Sequence, residues 1–362
     1  MCIRDREISG SGMDTNVIGR DITGYSSALH AKSPVKPRVS RIFVRDLTPA
    51  TNGNGIGIGM ADFTTARLVK ALNLQYVYMN ALTSLGLSPV SYTHLLLEKV
   101  KTQAKGIRAF ILQKDLLALS DRDNMRIVAT PEFLRGEYSV AGFHSAPALE
   151  PTAEAEYWVT PIDPKMPSEQ AESKLREYNN WMLLYLTMHE ALPGHYTQFE
   201  HANNLQPSSR RVLRALLGNG PYVEGWGEYA VREMEDAGYA NHDPRFVLMV
   251  QKIRLRVIAN AILDIRLQSR NMTDREALDL MENQAFQTDA EAQGKLRRAK
   301  LTAGQLITYY VGYHQWIDFR NRVQQRQGSG FSLKRFNDAA LDEGPLPIPL
   351  VQPLVTEKLV AH

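Results

Sequence analysis

The chain has 362 residues, 44% of them hydrophobic and 22% charged, with a formal net charge of +3 at pH 7, the balance of an ordinary soluble globular protein with room for about two domains. Its basic residues form no long blocks, which argues against a nucleic-acid or membrane-surface partner, and no apolar run nears the ~20 residues of a membrane-spanning helix. The only cysteine is Cys2, so a disulfide framework is excluded and any metal site must draw on His, Asp and Glu.

The opening Met1-Cys2-Ile3-Arg4-Asp5-Arg6 lacks the apolar core of a signal peptide, and the compartment stays open. Residues 7–89 have an α/β pattern. Arg41-Ile42-Phe43-Val44-Arg45-Asp46-Leu47 reads as a short buried strand. The turn Gly53-Asn54-Gly55-Ile56-Gly57-Ile58-Gly59 follows, then an expected helix over 61–72. Such a turn can cradle a phosphate, or simply connect, and it fits neither glycine fingerprint.

From residue 96 the chain turns helical. Leu97, Val100, Ile107, Phe110, Ile111, Leu116 and Leu117 repeat roughly at the spacing of one helical face, which predicts a helix over 96–119. Residues 126–170 carry six prolines between two strand-like runs, Ile127-Val128-Ala129-Thr130 and Tyr157-Trp158-Val159-Thr160. They read as loops and edge strands beside a helical body. One long helix is expected over 172–198, then helices over 209–217 and 222–237. Asp243 before Pro244 opens another to about 270, and Thr273 with Glu276 has the form of a capping box. Further helices are expected over 289–301, 303–327 and 332–341, the last closed by Gly344-Pro345-Leu346-Pro347. The fold class is mainly α after a small α/β segment, with domains at 1–95 and 96–362.

The chemistry concentrates in His189-Glu190-Ala191-Leu192-Pro193-Gly194-His195, followed by Tyr196-Thr197-Gln198. Neutral imidazoles are common zinc ligands, and an adjacent carboxylate can act as base on a metal-activated water. Metalloprotease histidines usually sit four apart, about 40° around a helix. Six apart they are separated by about 240° and ~9 Å of rise, which cannot close on one ion. Pro193 and Gly194 are the residue types that break a regular helix, and a bulge there brings His195 back toward His189. Downstream, Glu224 and Glu228 share a helix face amid Tyr222, Trp226 and Tyr229. Either completes a two-histidine, one-glutamate site with an open fourth position, or both are surface acids paired with Arg232.

The run from His189 through Gln198, followed by Glu224-Gly225-Trp226, resembles the bacterial domain-of-unknown-function 885 family, whose members are similar to glutamate-ligand zinc metallopeptidases. The resemblance extends from about residue 96 to the end, as the C-terminal part of a longer family member. It implies a zincin-like (gluzincin-type) helical body, zinc as cofactor, His189, His195 and Glu224 as ligands, and Glu190 as catalytic base. Arg298, Gly304-Gln305 and Tyr309 resemble a later family stretch. Where the family has a further glutamate seven residues after the first, this chain has Val231, with Glu228 three residues earlier.

Gly10-Ser11-Gly12-Met13-Asp14-Thr15-Asn16-Val17 and Met60-Ala61-Asp62-Phe63-Thr64-Thr65 resemble part of the lactate-racemase-like family. Residues 1–6 and 90–95 resemble translated sequencing-adapter fragments, which implies an assembly junction between two genes. The natural start of the chain is then open, and the family resemblance allows an exported protein.

Further roles follow from physics. Asp264, in an apolar helix, is expected to orient a zinc-bound histidine or to pair with an arginine at the surface. Tyr309 or Tyr310 can stabilise an oxyanion or pack as amphipathic core. Arg298 can hold a peptide carboxylate or lie on a solvated face. His144 is an outside candidate for a substrate cleft. The leading expectation is a zinc peptidase acting on a peptide or small molecule. The alternatives are an inactive zincin-like binder of a peptide or partner, and a racemase-like fragment.

Overall fold

The computed structural model describes residues 89–360 apart from 123, 136, 137, 139 and 164. The racemase-like stretches, the glycine-rich turn and the predicted strand at 41–47 lie outside the described residues. What is described is mainly α, with one small sheet.

Helix α1 spans Pro89–Lys114, starting earlier than expected and ending where Asp115 takes a left-handed conformation at φ 51°. Strands β1 (Met125–Ala129), β2 (Ala141–His144) and β3 (Ala155–Val159) follow. They form a sheet in the order β1-β3-β2, parallel between β1 and β3 and antiparallel between β2 and β3. One sheet face packs on α1 through Val100, Tyr157 and Val159. That cluster also takes in Leu183 and Ala191 from the chain segment that carries the histidines.

The single helix expected over 172–198 is instead three. Helix α2 is Ser168–Glu177 and α3 is Asn180–Leu186. Between them the Asn179 side chain accepts from the backbone N–H groups of Trp181 and Met182, an N-cap that starts a new helix. Helix α4, His195–Asn203, begins after the proline-glycine turn described below. Then come α5 (Ser208–Leu216), α6 (Gly220–Asp236) and α7 (Pro244–Ser269). The Asp243 cap and the Thr273–Glu276 capping box both form as the sequence predicts, the latter opening α8, Asp274–Asp279.

Helix α9 is Asp289–Leu301. Helix α10, Ile307–Gln327, starts later than expected because Gly304 sits at φ 78°. Helix α11 is Leu333–Leu341, capped by Ser332. Helix α12, Ile348–Val360, lies beyond the expected helices, after the closing Gly344-Pro345-Leu346-Pro347. Its buried Ile348, Val351, Val355 and Leu359 nonetheless carry helical spacing.

The main core lies between α6 and α10. Trp226 and Trp316 meet edge to face with centroids 5.1 Å apart, flanked by Tyr222, Tyr229 and Phe319. The two helices cross where Gly225 meets Gly312. A Cβ on Gly225 would lie 2.3–2.7 Å from the Gly312 backbone, so the crossing demands glycine on both sides. This close approach sets α6, and with it Glu224, against the rest of the body.

Candidate metal centre

Two segments supply the histidines. Past α3 the helix widens into a π-helical turn, Thr187–Ala191, which carries His189 and Glu190. A regular helix cannot continue, because Pro193 has no N–H to donate to the carbonyl four residues back. Instead the Gly194 N–H donates to the Met188 carbonyl at 3.0 Å, and Leu192 is extended at φ −117°, ψ 129°. Only glycine fits at 194, since a Cβ there would lie 1.8 Å from the His189 carbonyl oxygen. Helix α4 then restarts at His195. The expected bulge forms, and the two imidazole centroids lie 4.7 Å apart with planes at 80°.

Helix α6 supplies the third arm through five consecutive residues. Glu224 Oε2 lies 3.5 Å from His195 Nε2 and 3.7 Å from His189 Nε2. Gly225 makes the helix crossing. The Trp226 indole N–H donates to the Pro193 and Gly194 carbonyls at 3.0 and 3.2 Å, tying the turn between the histidines to the helix that carries Glu224. Gly227 leaves room for the His189 ring, whose atoms would lie 2.5–2.9 Å from a Cβ at that position. Glu228 Oε1 lies 3.7 Å from His189 Nδ1, and its other oxygen accepts from the Tyr185 hydroxyl.

One donor atom from each of His189, His195 and Glu224 lies within 4.8 Å of the others. Both histidines are buried; the Glu224 side chain is 19% exposed, so the cluster opens on its side. Burial disfavours charge on His189, yet Glu224, Glu228 and Glu190 together hold its imidazolium up to about 9. Burial likewise opposes charge on Glu224, and the two histidines outweigh it, holding the carboxyl far below the usual range. Burial pushes Glu228 up. Three carboxylates surround two imidazoles, and His189 Nδ1 is buried without a hydrogen-bond partner in reach. A divalent cation balances those charges with both imidazoles neutral, so the donor set fits one.

The remaining expected residues divide. Gln198 Oε1 faces His195 Nδ1 at 3.4 Å while its amide donates to the Tyr222 carbonyl at 3.3 Å, so it orients His195. Tyr309 stacks beside His189 with centroids 6.3 Å apart. Its hydroxyl oxygen accepts from Gln305 and Arg298, each at 3.4 Å. The Gln305 amide also reaches Glu224 at 3.4 Å, and Arg298 donates to Gln305 Oε1 at 3.0 Å. Glu190 is half-buried next to His189.

Asp264 does not face a histidine. Its carboxylate accepts from the backbone N–H groups of Gly304 and Ile307 at 2.8 and 3.0 Å, capping α10. Backbone donors satisfy the buried acid, a solution invisible in the apolar pattern of its own helix. Tyr310 lies over His314, and His144 is exposed and stacked on Trp158. Val231 is buried in the core, and Glu228 is the carboxylate facing His189. Sequence reasoning missed Tyr185, although it lies four residues before His189 and so on the same face. It also missed the roles of Trp226 and Gly227, which only the meeting of α6 with the proline-glycine turn creates.

The family model described as bacterial protein of unknown function (DUF885) matches residues 77–355. The chain belongs to that family. Among solved structures it is similar to a candidate lipoprotein of unknown function from Shewanella oneidensis, at 29% identity and a TM-score of 0.64, over 97% of this chain and 69% of that one. A candidate lipoprotein from Colwellia psychrerythraea shares the fold at 18% identity and a TM-score of 0.65, over 94% of this chain and 56% of that one. The chain therefore spans just over half the length of the second. No curated protein matches, and no helix among the described residues is long and apolar enough to cross a membrane.

Proposed function

We propose that this DUF885 member is a zinc-dependent hydrolase acting on peptides, with a gluzincin-type ligand set on a helical zincin-like body. The observation that carries the reading is the convergence of His189, His195 and Glu224 donor atoms within 4.8 Å, despite a spacing that a regular helix forbids. When bound, zinc supplies a Lewis acid for the scissile carbonyl and a water of pKa about 7.

The chain's own residues do the rest. Glu228 and Gln198 sit on the Nδ1 sides of His189 and His195, so both rings present Nε2 as the ligand atom. Glu190 takes the proton of the attacking water and returns it to the leaving amine. Burial keeps the Tyr309 phenol protonated. Because its oxygen already accepts two N–H donors, its own proton is free to stabilise the oxyanion of the tetrahedral intermediate.

The test is metal analysis of purified protein with peptide turnover. Stoichiometric zinc is expected, lost in His195→Ala. Glu190→Gln should keep zinc and lose turnover by about 10²–10⁴-fold. A protein without stoichiometric zinc, or a His195→Ala variant that retains it, overturns the ligand set. Turnover unchanged in Glu190→Gln overturns the role of Glu190 as base, and zinc-replete protein that binds peptide without cleaving it overturns the enzyme in favour of a peptide-binding protein.

A further inference from the structure

A cationic pair on α9 lies near Glu224, the partly exposed arm of the centre. Arg298 is exposed, and its guanidinium is linked through the Gln305 amide to Glu224. Lys295 lies one turn earlier on the same face. It is only 8% exposed, yet no described residue offers its amine a hydrogen bond or an ion pair within 4 Å. Lysine is almost never buried unless paired.

The charged groups that Lys295 feels are Arg256 on α7, Glu291 and Arg298 on α9, and Glu224 on α6. The two carboxylates are already engaged. Glu291 accepts from Arg256 and from the Tyr178 hydroxyl, and Glu224 faces both histidines. Burial, with Arg256 beside it, outweighs the pull of Glu291 and Glu224 and brings the Lys295 amine down to about 7; neither carboxylate is in ion-pair contact with it. An anion approaching the exposed side of Glu224 would meet an ammonium and a guanidinium fork, the pairing that suits a planar carboxylate.

We propose that Lys295 and Arg298 dock the terminal carboxylate of the substrate, so that the protein trims peptides from the C-terminal end. This rests on the hydrolytic reading of the centre. Only three bonds separate a scissile carbonyl carbon from the carboxylate carbon of a terminal residue. A dock one side-chain amide away from Glu224 suits that span. In the step, water oxygen bonds to the carbonyl carbon and the C–N bond breaks. The proton held by Glu190 goes to the leaving amine, releasing an amino acid with a free carboxylate and a shortened peptide.

The experiment compares acetyl-trialanine as free acid and as amide on the zinc-loaded full chain, with products read by mass spectrometry. Binding of both peptides to Glu190→Gln protein is measured by calorimetry. The free acid should be turned over at least about 100-fold better in kcat/KM, and bound more tightly. Lys295→Met and Arg298→Ala should each lower that acid-to-amide ratio about tenfold or more. Arg298 is exposed, so its variant tests the idea even where Lys295→Met fails to fold. Equal turnover of acid and amide overturns the dock and leaves the hydrolase standing. So does a ratio that neither variant changes, or cleavage that follows an internal aspartate in amidated peptides. If zinc-replete protein neither binds nor cleaves either peptide, the hydrolytic reading falls, and the dock with it.

Discussion

At the scale of single residues, the centre depends as much on absent atoms as on present ones. Gly227 has no side chain because His189 occupies that space. Alanine normally favours a helix interior by up to ~1 kcal/mol over glycine. Here the added methyl would lie 2.5–2.9 Å from the imidazole and displace it. Gly227→Ala is therefore expected to lower zinc affinity tenfold or more in a chelator competition, and unchanged affinity would remove the steric argument.

Glu233, also on α6, gives a second residue-scale expectation. It is buried, with Arg320 Nε 3.5 Å away, and burial outweighs that partner, pushing its carboxyl up to about 7 from an ordinary 4.5. The folded protein thus holds a proton that the unfolded chain releases above about 4.5. Its contribution to stability is complete below that value and is lost as pH rises through about 7, an effect of at most about 3 kcal/mol. Glu233→Gln should flatten the fall of Tm between pH 5 and 7; a slope identical to the parent protein's would assign the fall to other groups.

At the scale of elements, the decisive contact is α6 against α10. Each of Gly225 and Gly312 accepts the other's backbone, and a Cβ on Gly312 would also lie 1.9 Å from the Pro221 carbonyl oxygen. Gly312→Ala should therefore cost about 1–3 kcal/mol of stability or more, in thermal or denaturant unfolding. It should also weaken zinc binding, because α6 would shift with Glu224 on it. A fully stable, metal-competent Gly312→Ala protein would mean that the helices separate freely at this crossing. The same scale explains the divided histidine segment. Asn179 caps α3, and Pro193 with Gly194 ends the π-helical turn. Both signals stand in the sequence, yet the helical spacing of Leu175, Tyr178, Trp181, Met182, Tyr185 and Leu186 masks the first of them.

For the molecule as a whole, the candidate ligands come from the π-helical turn, α4 and α6, and Trp226 binds two of these pieces together. An ion at their junction would be a cross-link present only in the folded state. Removing zinc with a chelator is expected to lower Tm by several degrees, with Tm following the logarithm of the free-metal concentration. His195→Ala should abolish that dependence. A Tm indifferent to chelation in zinc-loaded protein would show that the junction holds without metal.

Most helices were readable from their own residues: the caps at Asp243, Thr273 and Ser332 work through hydrogen bonds no more than three residues long. The proline-glycine bulge was readable too, because two histidines six apart can share a site only if the helix breaks between them. Local sequence offered Glu224 or Glu228 as the third arm, through their spacing and aromatic neighbours, and the family resemblance chose Glu224. Three matters were decided only by tertiary structure. Asp264 caps α10 because Gly304 and Ile307 come to it from 40 and 43 residues away. Glu228 faces His189 because Gly227 lets the ring lie against α6. Lys295 makes no direct ion pair because Arg256 and Tyr178 engage Glu291. A sequence states which groups a helix carries; which of them find a partner depends on which surfaces meet.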